Sequence, residues 1–313
     1  MRIAINGFGR IGRTFLRLAL KNNIHVVAIN DLSNPETMAH LLKYDSVHGV
    51  FQGSVSSKID ALLVDDVLIS VFSIKDAQDL PWQEMDIDLV IDCTGRYLTK
   101  EAALKHIKAG AKQVLLSAPA ADDIPMLVLG VNEDEINLSA QILSNASCTT
   151  NNIAPIIKVL NDNWGVKEGY ITTIHSMTGD QNLHDANHKD LRRARAASSS
   201  IIPTTTGAAK AITRIFPSLN GFLGGAGIRV PVLNGSLTDF TCILHKPATV
   251  AEINMAFKNA ASGDMKEILE YTEDPIVSID VINNPHSCIF DAQLTSIIGT
   301  LVKVVGWYDN EYG

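Results

Sequence analysis

Apolar residues return along this chain in two rhythms. In the first half, short apolar runs alternate with stretches where apolar residues recur every three or four positions. Arg2–Ile5 and His25–Ile29 predict strands, and between them Ile11, Phe15, Leu18 and Ala19 share one helical face. Further runs predict strands at Val67–Phe72, Leu89–Ile91, Val114–Leu116, Met126–Leu129 and Gln141–Leu143. Lys100–Ala109 predicts a helix stopped by Gly110. Strands alternating with helices predict an α/β unit with a parallel sheet covered on both faces.

The texture changes near Ser144. A helix is predicted from Cys148 to about Trp164, followed by longer strand-like segments at Tyr170–His175, Gly227–Val232, Ser236–Leu244, Val277–Val281, Cys288–Asp291 and Thr300–Tyr308. Several follow one another without intervening helices, which predicts a mixed or antiparallel sheet and an α+β second unit. Thr249 and Glu252 form a capping-box pattern ahead of a helix over Ile253–Ala261. Ser176–Ser200 is long and without periodicity, and loops of that length in compact proteins tend to be functional. The expected division is 1–147 and 148–313.

Gly7-Phe8-Gly9-Arg10-Ile11-Gly12 follows the first strand and opens the first helix. In that setting G-x-G-x-x-G is the dinucleotide pattern of a Rossmann-type unit. Gly7 permits the tight turn, Gly9 lets the backbone approach a pyrophosphate, and Gly12 lets helix pack on sheet. The helix N-terminus offers free N–H groups to the phosphates. Asp31 closes the second strand, where a carboxylate accepts both adenosine ribose hydroxyls and repels an added 2′-phosphate. NAD is therefore the expected cofactor.

Ser147-Cys148-Thr149-Thr150-Asn151 lies where strand gives way to helix, a position that favours a thiolate. A lone cysteine in such a turn can equally be a small buried residue. Cys93, Cys242 and Cys288 are read that way. His175 ends an apolar run and becomes a candidate general base once a nucleophile precedes it. His184 and His188 are spaced like some metal ligand pairs, but they sit in a polar stretch without a third ligand and are read as solvated.

The 313 residues exceed one typical domain, and 46% hydrophobic against 19% charged residues suits a large core. A net charge of −8 gives no electrostatic reason to expect nucleic acid or a membrane surface. The four cysteines show no CxxC pair, which fits free thiols in a reducing, cytoplasmic setting. The N-terminus begins a strand at once and lacks a signal-peptide pattern.

INGFGRIGR, HLLKYDSVHG, SNASCTTN, DLRRARAAS, IIPTTTGAAKA, RVPV and WYDNE together resemble the glyceraldehyde-3-phosphate dehydrogenase family, in order and across essentially the whole chain. The resemblance implies phosphorylating oxidation of a triose phosphate with NAD. Cys148 would form the thioester and His175 would serve as the base. It implies a substrate-phosphate pocket of Thr178, Asp180, Arg195 and Arg229. It implies a pocket for attacking inorganic phosphate at Ser147, Thr149, Thr206 and Gly207. Arg10 and Ile11 match the pyrophosphate loop, Thr94 and Ser117 the nicotinamide side, and Asn310 the residue holding the carboxamide. Arg192 and Arg193 are read as a solvated basic run. The family is usually a homotetramer, with the Met177–Ser200 loop at an interface.

The chain also departs from the family pattern. Asn152 stands where the family usually has a second cysteine, and Leu233-Asn234-Gly235 replaces a proline-containing turn. Ala186-Asn187 resembles members that accept NADP, so some NADP use is expected. The sequence stops at Asn310-Glu311-Tyr312-Gly313, where the family continues into a helix, so that helix is expected to be missing. Leu80-Pro81-Trp82, Asp92-Cys93-Thr94-Gly95 and Asn284-Pro285-His286-Ser287 resemble erythrose-4-phosphate dehydrogenase, a sister family that resolves the thioester with water. Thr204-Thr205-Thr206-Gly207 and Thr178-Gly179-Asp180 resemble the triose enzymes. Two functions of different classes compete with these. The joint presence of Cys148, His175, Arg229 and Asn310 argues against a non-catalytic binding protein on the same fold. The intact glycine pattern and Asp31 argue against a Cys/His hydrolase.

Overall fold

The computed structural model describes residues 1–121 and 123–313. The chain divides into two compact units, Met1–Leu127 with Asp134–Ala146, and Val128–Glu133 with Ser147–Gly313. The excursion Val128–Glu133 goes with the second unit. A side chain at Gly130, which has φ +75°, would press within 2.7 Å of Ile268.

The first unit holds an eight-stranded sheet. Its order is Ile142–Ser144, Gln113–Leu116, Leu89–Asp92, Ile3–Asn6, Val26–Asn30, Val67–Phe72, Ala61–Val64, Val55–Ser57. The first six strands run parallel and the last two pair antiparallel at the edge. Taken in chain order, the six parallel strands follow the 3-2-1-4-5-6 sequence of dinucleotide-binding sheets. Alternate residues supply two cores. Ile3, Ile5, Ile29 and Ile91 pack with Leu16 and Leu42 on one face. Ala4, Ala28 and Val90 pack with Trp82 and Ala103 on the other. Both faces are covered, as the continuous apolar strands require. Met126–Leu129, expected as a strand, contributes only an isolated bridge between Met126 and Ser144.

The second unit's sheet runs Ile202–Thr204, Leu223–Val230, Val166–Ser176, Ser236–Leu244, Leu301–Tyr308, Cys288–Asp291, Leu269–Thr272, with Ser296–Ile298 paired to Leu301–Tyr308. It is mixed. Val166–Ser176 pairs parallel with Leu223–Val230 and antiparallel with Ser236–Leu244. Ser236–Leu244 alternates buried and half-buried residues, the period-2 signature of a strand facing a core on one side. Helix Cys148–Trp164 buries Ile153, Ile156, Ile157 and Leu160.

Val277–Val281 is not a strand. The Asp280 carboxylate accepts from Val277 N at 2.8 Å and folds the segment into a turn, leaving Val277 and Ile279 exposed. The alternation of Val, Ile and Val imitated a strand, and local side-chain bonding won. Helix Ala208–Ile215 escaped prediction because it starts at Gly207 without a side-chain cap.

Candidate active site

The glycines of the first unit behave as the pattern requires. Gly7 has φ +91°, and a Cβ there would meet Thr94 Cγ2 at 2.8 Å. A Cβ on Gly12 would lie 2.1 Å from Gly7 O, so turn and helix touch backbone to backbone. A Cβ on Gly9 would meet nothing within 4 Å, and Gly9 lines a cavity of about 330 Å³ with Asn6, Gly7, Asp31 and Thr94. Such space beside bare backbone fits a dinucleotide. Arg10 and Ile11 open helix Arg10–Lys21, whose first turn carries no acidic residue. The Arg10 guanidinium pairs with Asp45 at 2.6 Å.

Asp31 Oδ2 accepts from Phe8 N at 2.7 Å and Oδ1 from Ser33 N at 2.8 Å. Burial alone raises its pKa, but these N–H donors and the Arg13 charge outweigh it and hold the carboxyl below its usual value. Thr94 donates N and Oγ1 to Asp92 Oδ1 at 3.1 and 2.8 Å, and Ser117 N donates to Asp92 O at 3.0 Å. Asp92 is 2% exposed and also accepts from Asn6 Nδ2 at 2.7 Å. Asn6 and Asp92 were not among the predicted site residues, although both end strands pointing at this cavity.

In the second unit, Ser147 is the N-cap of helix Cys148–Trp164, and its Oγ accepts from Thr150 N at 3.1 Å. Cys148 therefore occupies the first helical position. Its Sγ lies 3.3 Å from His175 Nε2, delivered by the end of strand Val166–Ser176. His175 Nδ1 lies 2.8 Å from Ser176 O and 2.7 Å from Arg229 Nη1, while Arg229 Nη1 also donates to Ser176 O at 3.0 Å. The parallel register that sets His175 opposite Arg229 creates this contact. Tyr308 is fully buried, with its ring edge-on to His175 at 6.0 Å. Its hydroxyl bonds Thr149 Oγ1 at 3.0 Å and Thr173 Oγ1 at 2.9 Å.

Both groups are pushed toward their neutral forms. Burial pushes the Cys148 thiol above its ordinary value, although the Arg229 charge and the N–H and hydroxyl of Thr149 pull the other way. The expectation that the helix start alone lowers this thiol is therefore corrected: desolvation is the larger effect. Burial and the adjacent Arg229 hold His175 down at about 4.

Next to this pair, Thr178 Oγ1 donates to Asp180, and Arg193 Nη1 binds Asp180 Oδ2 at 2.7 Å. Arg193 Nε donates to Thr204 Oγ1 at 3.0 Å. Asn310 Oδ1 accepts from Ser176 Oγ at 2.8 Å and Ser236 Oγ at 2.7 Å. Asn234 Oδ1 accepts from Asn310 N at 3.2 Å, and Asn234 Nδ2 donates at 2.8 Å to Asp309, which is fully buried. The Leu233-Asn234-Gly235 turn thus fastens Asn310.

A family model described as the glyceraldehyde 3-phosphate dehydrogenase NAD-binding domain matches residues 1–100, and the C-terminal domain model of the same family matches residues 147–310. Among curated proteins, the chain is 50% identical over 317 residues to glyceraldehyde-3-phosphate dehydrogenase 2 of Streptomyces avermitilis, covering 100% of this chain and 95% of that protein. It is also 50% identical over 316 residues to glyceraldehyde-3-phosphate dehydrogenase of Geobacillus stearothermophilus, covering 100% and 94%. The chain belongs to the glyceraldehyde 3-phosphate dehydrogenase family.

As a member of this family the chain is an NAD-dependent oxidoreductase, and residues 1–100 match the NAD-binding domain of the family. One residue expected in the substrate-phosphate pocket from the resemblance has another partner in the structure. Arg195 is 68% exposed and pairs with Asp185 at 2.8 Å, whereas Arg193, read from sequence as solvated, is the arginine on Asp180. Three arginines within four positions look alike in sequence. The Asp190 carboxylate, which accepts from Arg192 N and Arg193 N, turns the chain so that only Arg193 faces inward. Thr206 Oγ1 accepts from Ala208 N at 3.2 Å at the start of helix Ala208–Ile215, with Gly207 as its N-cap. The Thr149 hydroxyl is engaged by Tyr308, a buried partner that sequence reasoning missed. Asn152 is buried and donates to Trp307 O at 3.1 Å, filling the second-cysteine position with a hydrogen-bonded amide.

Proposed function

We propose that this enzyme oxidises glyceraldehyde 3-phosphate to 1,3-bisphosphoglycerate, using NAD and inorganic phosphate, through a thioester on Cys148. The observation that carries the reading is the 3.3 Å Cys148–His175 contact with Arg229 against the same imidazole. Cys148 Sγ attacks the aldehyde carbon while His175 Nε2 takes the thiol proton and passes it to the new alkoxide. NAD, when bound, accepts the hydride. His175 removes the hydroxyl proton as the hydride leaves, and the product is a thioester. A phosphate oxygen then attacks the acyl carbon and expels the Cys148 sulfur, giving the acyl phosphate. The Cys148 N–H and His175 steady the oxyanions of both additions.

Thr178, Asp180, Arg193 and Arg229 are the proposed pocket for the substrate's phosphate, with guanidinium groups suited to paired hydrogen bonds. Ser147, Thr149, Thr206 and Gly207 are the proposed site for the attacking phosphate. Gly7, Gly9, Arg10, Ile11 and Gly12 would hold the pyrophosphate, Asp31 the adenosine ribose, and Thr94, Ser117 and Asn310 the nicotinamide end. The fixed charge on Asp31 disfavours the NADP phosphate, so NADP use is expected to be minor. We infer assembly as a homotetramer and a cytoplasmic location, readings that the family resemblance supports. No helix among the described residues is long and apolar enough to cross a membrane.

NADH formation from glyceraldehyde 3-phosphate, with and without inorganic phosphate and beside erythrose 4-phosphate, tests the reading. Phosphate-dependent triose turnover is expected. Phosphate-independent turnover of the erythrose substrate would replace it with the sister reaction. In the same assay Arg193→Ala should raise the triose KM by roughly 10- to 100-fold, the loss of a charge-assisted contact. Arg195→Ala, an exposed pair, should stay within about twofold. The reverse order would return Arg195 to the pocket.

A further inference from the structure

Leu80-Pro81-Trp82 and Asp92-Cys93-Thr94-Gly95 meet at one histidine. His106 is fully buried in the first unit, its ring stacked 6.4 Å from Trp82 and tilted at 5.0 Å from Tyr97. Trp82 Nε1 lies 3.0 Å from His106 Nδ1. An indole nitrogen can only donate, so Nδ1 must offer a bare lone pair and the ring proton sits on Nε2. That nitrogen lies 3.2 Å from Asp92 Oδ2 and donates to it. Four donors therefore converge on the two Asp92 oxygens: His106 Nε2 and Asn6 Nδ2 on Oδ2, Thr94 N and Oγ1 on Oδ1. Asn6 Oδ1 in turn accepts from Asn30 Nδ2 at 2.8 Å, which fixes the orientation of the Asn6 amide. The Thr94 methyl closes against the glycine turn, where a Cβ on Gly7 would lie 2.8 Å from it. Asn6, Gly7, Asn30 and Thr94 all line the cavity of about 330 Å³, and Trp82, His106 and Asp92 stand behind them.

We infer that His106 is a positioning residue for the cofactor: set by Trp82 to donate from Nε2, it holds Asp92 so that Asn6 and Thr94 keep one geometry around the cavity. This rests on the reading that the glycine turn and Asp31 hold NAD. A histidine that only filled the core would bring two polar nitrogens into an apolar layer at a cost. Here both nitrogens are matched, and the match runs in one direction, from indole through imidazole to carboxylate and out to the cavity wall. Trp82 itself packs among Ala77, Leu80, Ile87 and Ala103, which fix the indole and so the direction of the relay. With the His106 donor removed, Asp92 keeps a buried oxygen with one partner fewer and can turn to recover it, taking Asn6 and Thr94 along. NAD must then restore the geometry as it binds, and that cost falls on affinity rather than on the chemistry at Cys148.

Two substitutions at position 106 separate hydrogen bonding from packing. His106→Phe keeps an aromatic ring beside Trp82 and Tyr97 and removes both hydrogen bonds. His106→Gln keeps them, since an amide oxygen can accept from Trp82 Nε1 while the amide nitrogen donates to Asp92. Calorimetric titration of the full-length protein with NAD should give a dissociation constant raised roughly 5- to 20-fold in His106→Phe and within about threefold of wild type in His106→Gln. In steady state the His106→Phe loss should sit in the NAD KM, with little change in kcat. Trp82→Phe is the second arm, should His106→Phe fold poorly. In 15N-histidine-labelled protein, His106 should show the Nε2–H pattern in the wild type and a mixture with the Nδ1–H pattern in Trp82→Phe, with NAD affinity lowered in step. A His106 spectrum that Trp82→Phe leaves unchanged overturns the relay. Asp31→Ala is the control on the site. If it weakens NAD binding while the two His106 variants keep wild-type affinity, or lose affinity equally, His106 acts by packing alone and the inference is wrong, with the NAD site intact. If Asp31→Ala leaves affinity unchanged, the cavity does not hold NAD and the inference falls with that reading.

Discussion

Cys148→Ser is expected to reduce NADH formation by roughly 10⁴-fold or more while leaving the NAD dissociation constant within about twofold. A serine hydroxyl at position 148 would meet a base that burial and Arg229 hold at about 4, far too weak to ionise an alcohol. The thiol also begins above its ordinary value, but it remains the more acidic group and the better leaving group when phosphate attacks. NAD affinity should survive because the proposed adenosine and pyrophosphate contacts belong to the first unit, where Gly7, Gly9 and Asp31 are untouched. Steady-state NADH formation, with cofactor binding followed by fluorescence, checks both halves. Turnover within tenfold of the wild type would falsify the thioester route.

The parts of this molecule that were legible in its sequence are those governed by local rules. The glycine turn is one, because backbone approach distances leave no alternative: a Cβ on Gly12 cannot coexist with Gly7 O. Helix Cys148–Trp164 is another, since Ser147 caps it and an apolar stripe follows. What the sequence hid depends on contacts between distant segments. Arg193 and Arg195 differ only in which way the chain turns at Asp190, and that turn is made by a carboxylate accepting two backbone N–H groups. Tyr308 lies 159 positions from Thr149, and no spacing rule joins them. The direction of the Cys148 shift was hidden for the same reason. The helix start is visible in the sequence, but the burial that outweighs it is a property of the packed unit.

His175→Asn should lower turnover by roughly 10²- to 10⁴-fold, the usual contribution of a positioned acid–base group. The loss should appear in kcat more than in KM, because Thr178, Asp180 and Arg193 keep their own bonds to one another. The same substitution carries a signature in stability. Folded His175 titrates at about 4 against an ordinary 6.5, so as pH falls the unfolded chain takes the proton first. The wild type should therefore lose stability progressively between pH 6.5 and 4, up to about 3 kcal/mol from this residue, with no contribution above that window. His175→Asn removes the group and should flatten that part of the curve. Urea midpoints of both proteins at pH 7 and pH 5 measure the difference. If the two lose stability in parallel on acidification, His175 is not the buried neutral imidazole that the Arg229 contact requires, and the depressed base invoked for the Cys148→Ser result goes with it.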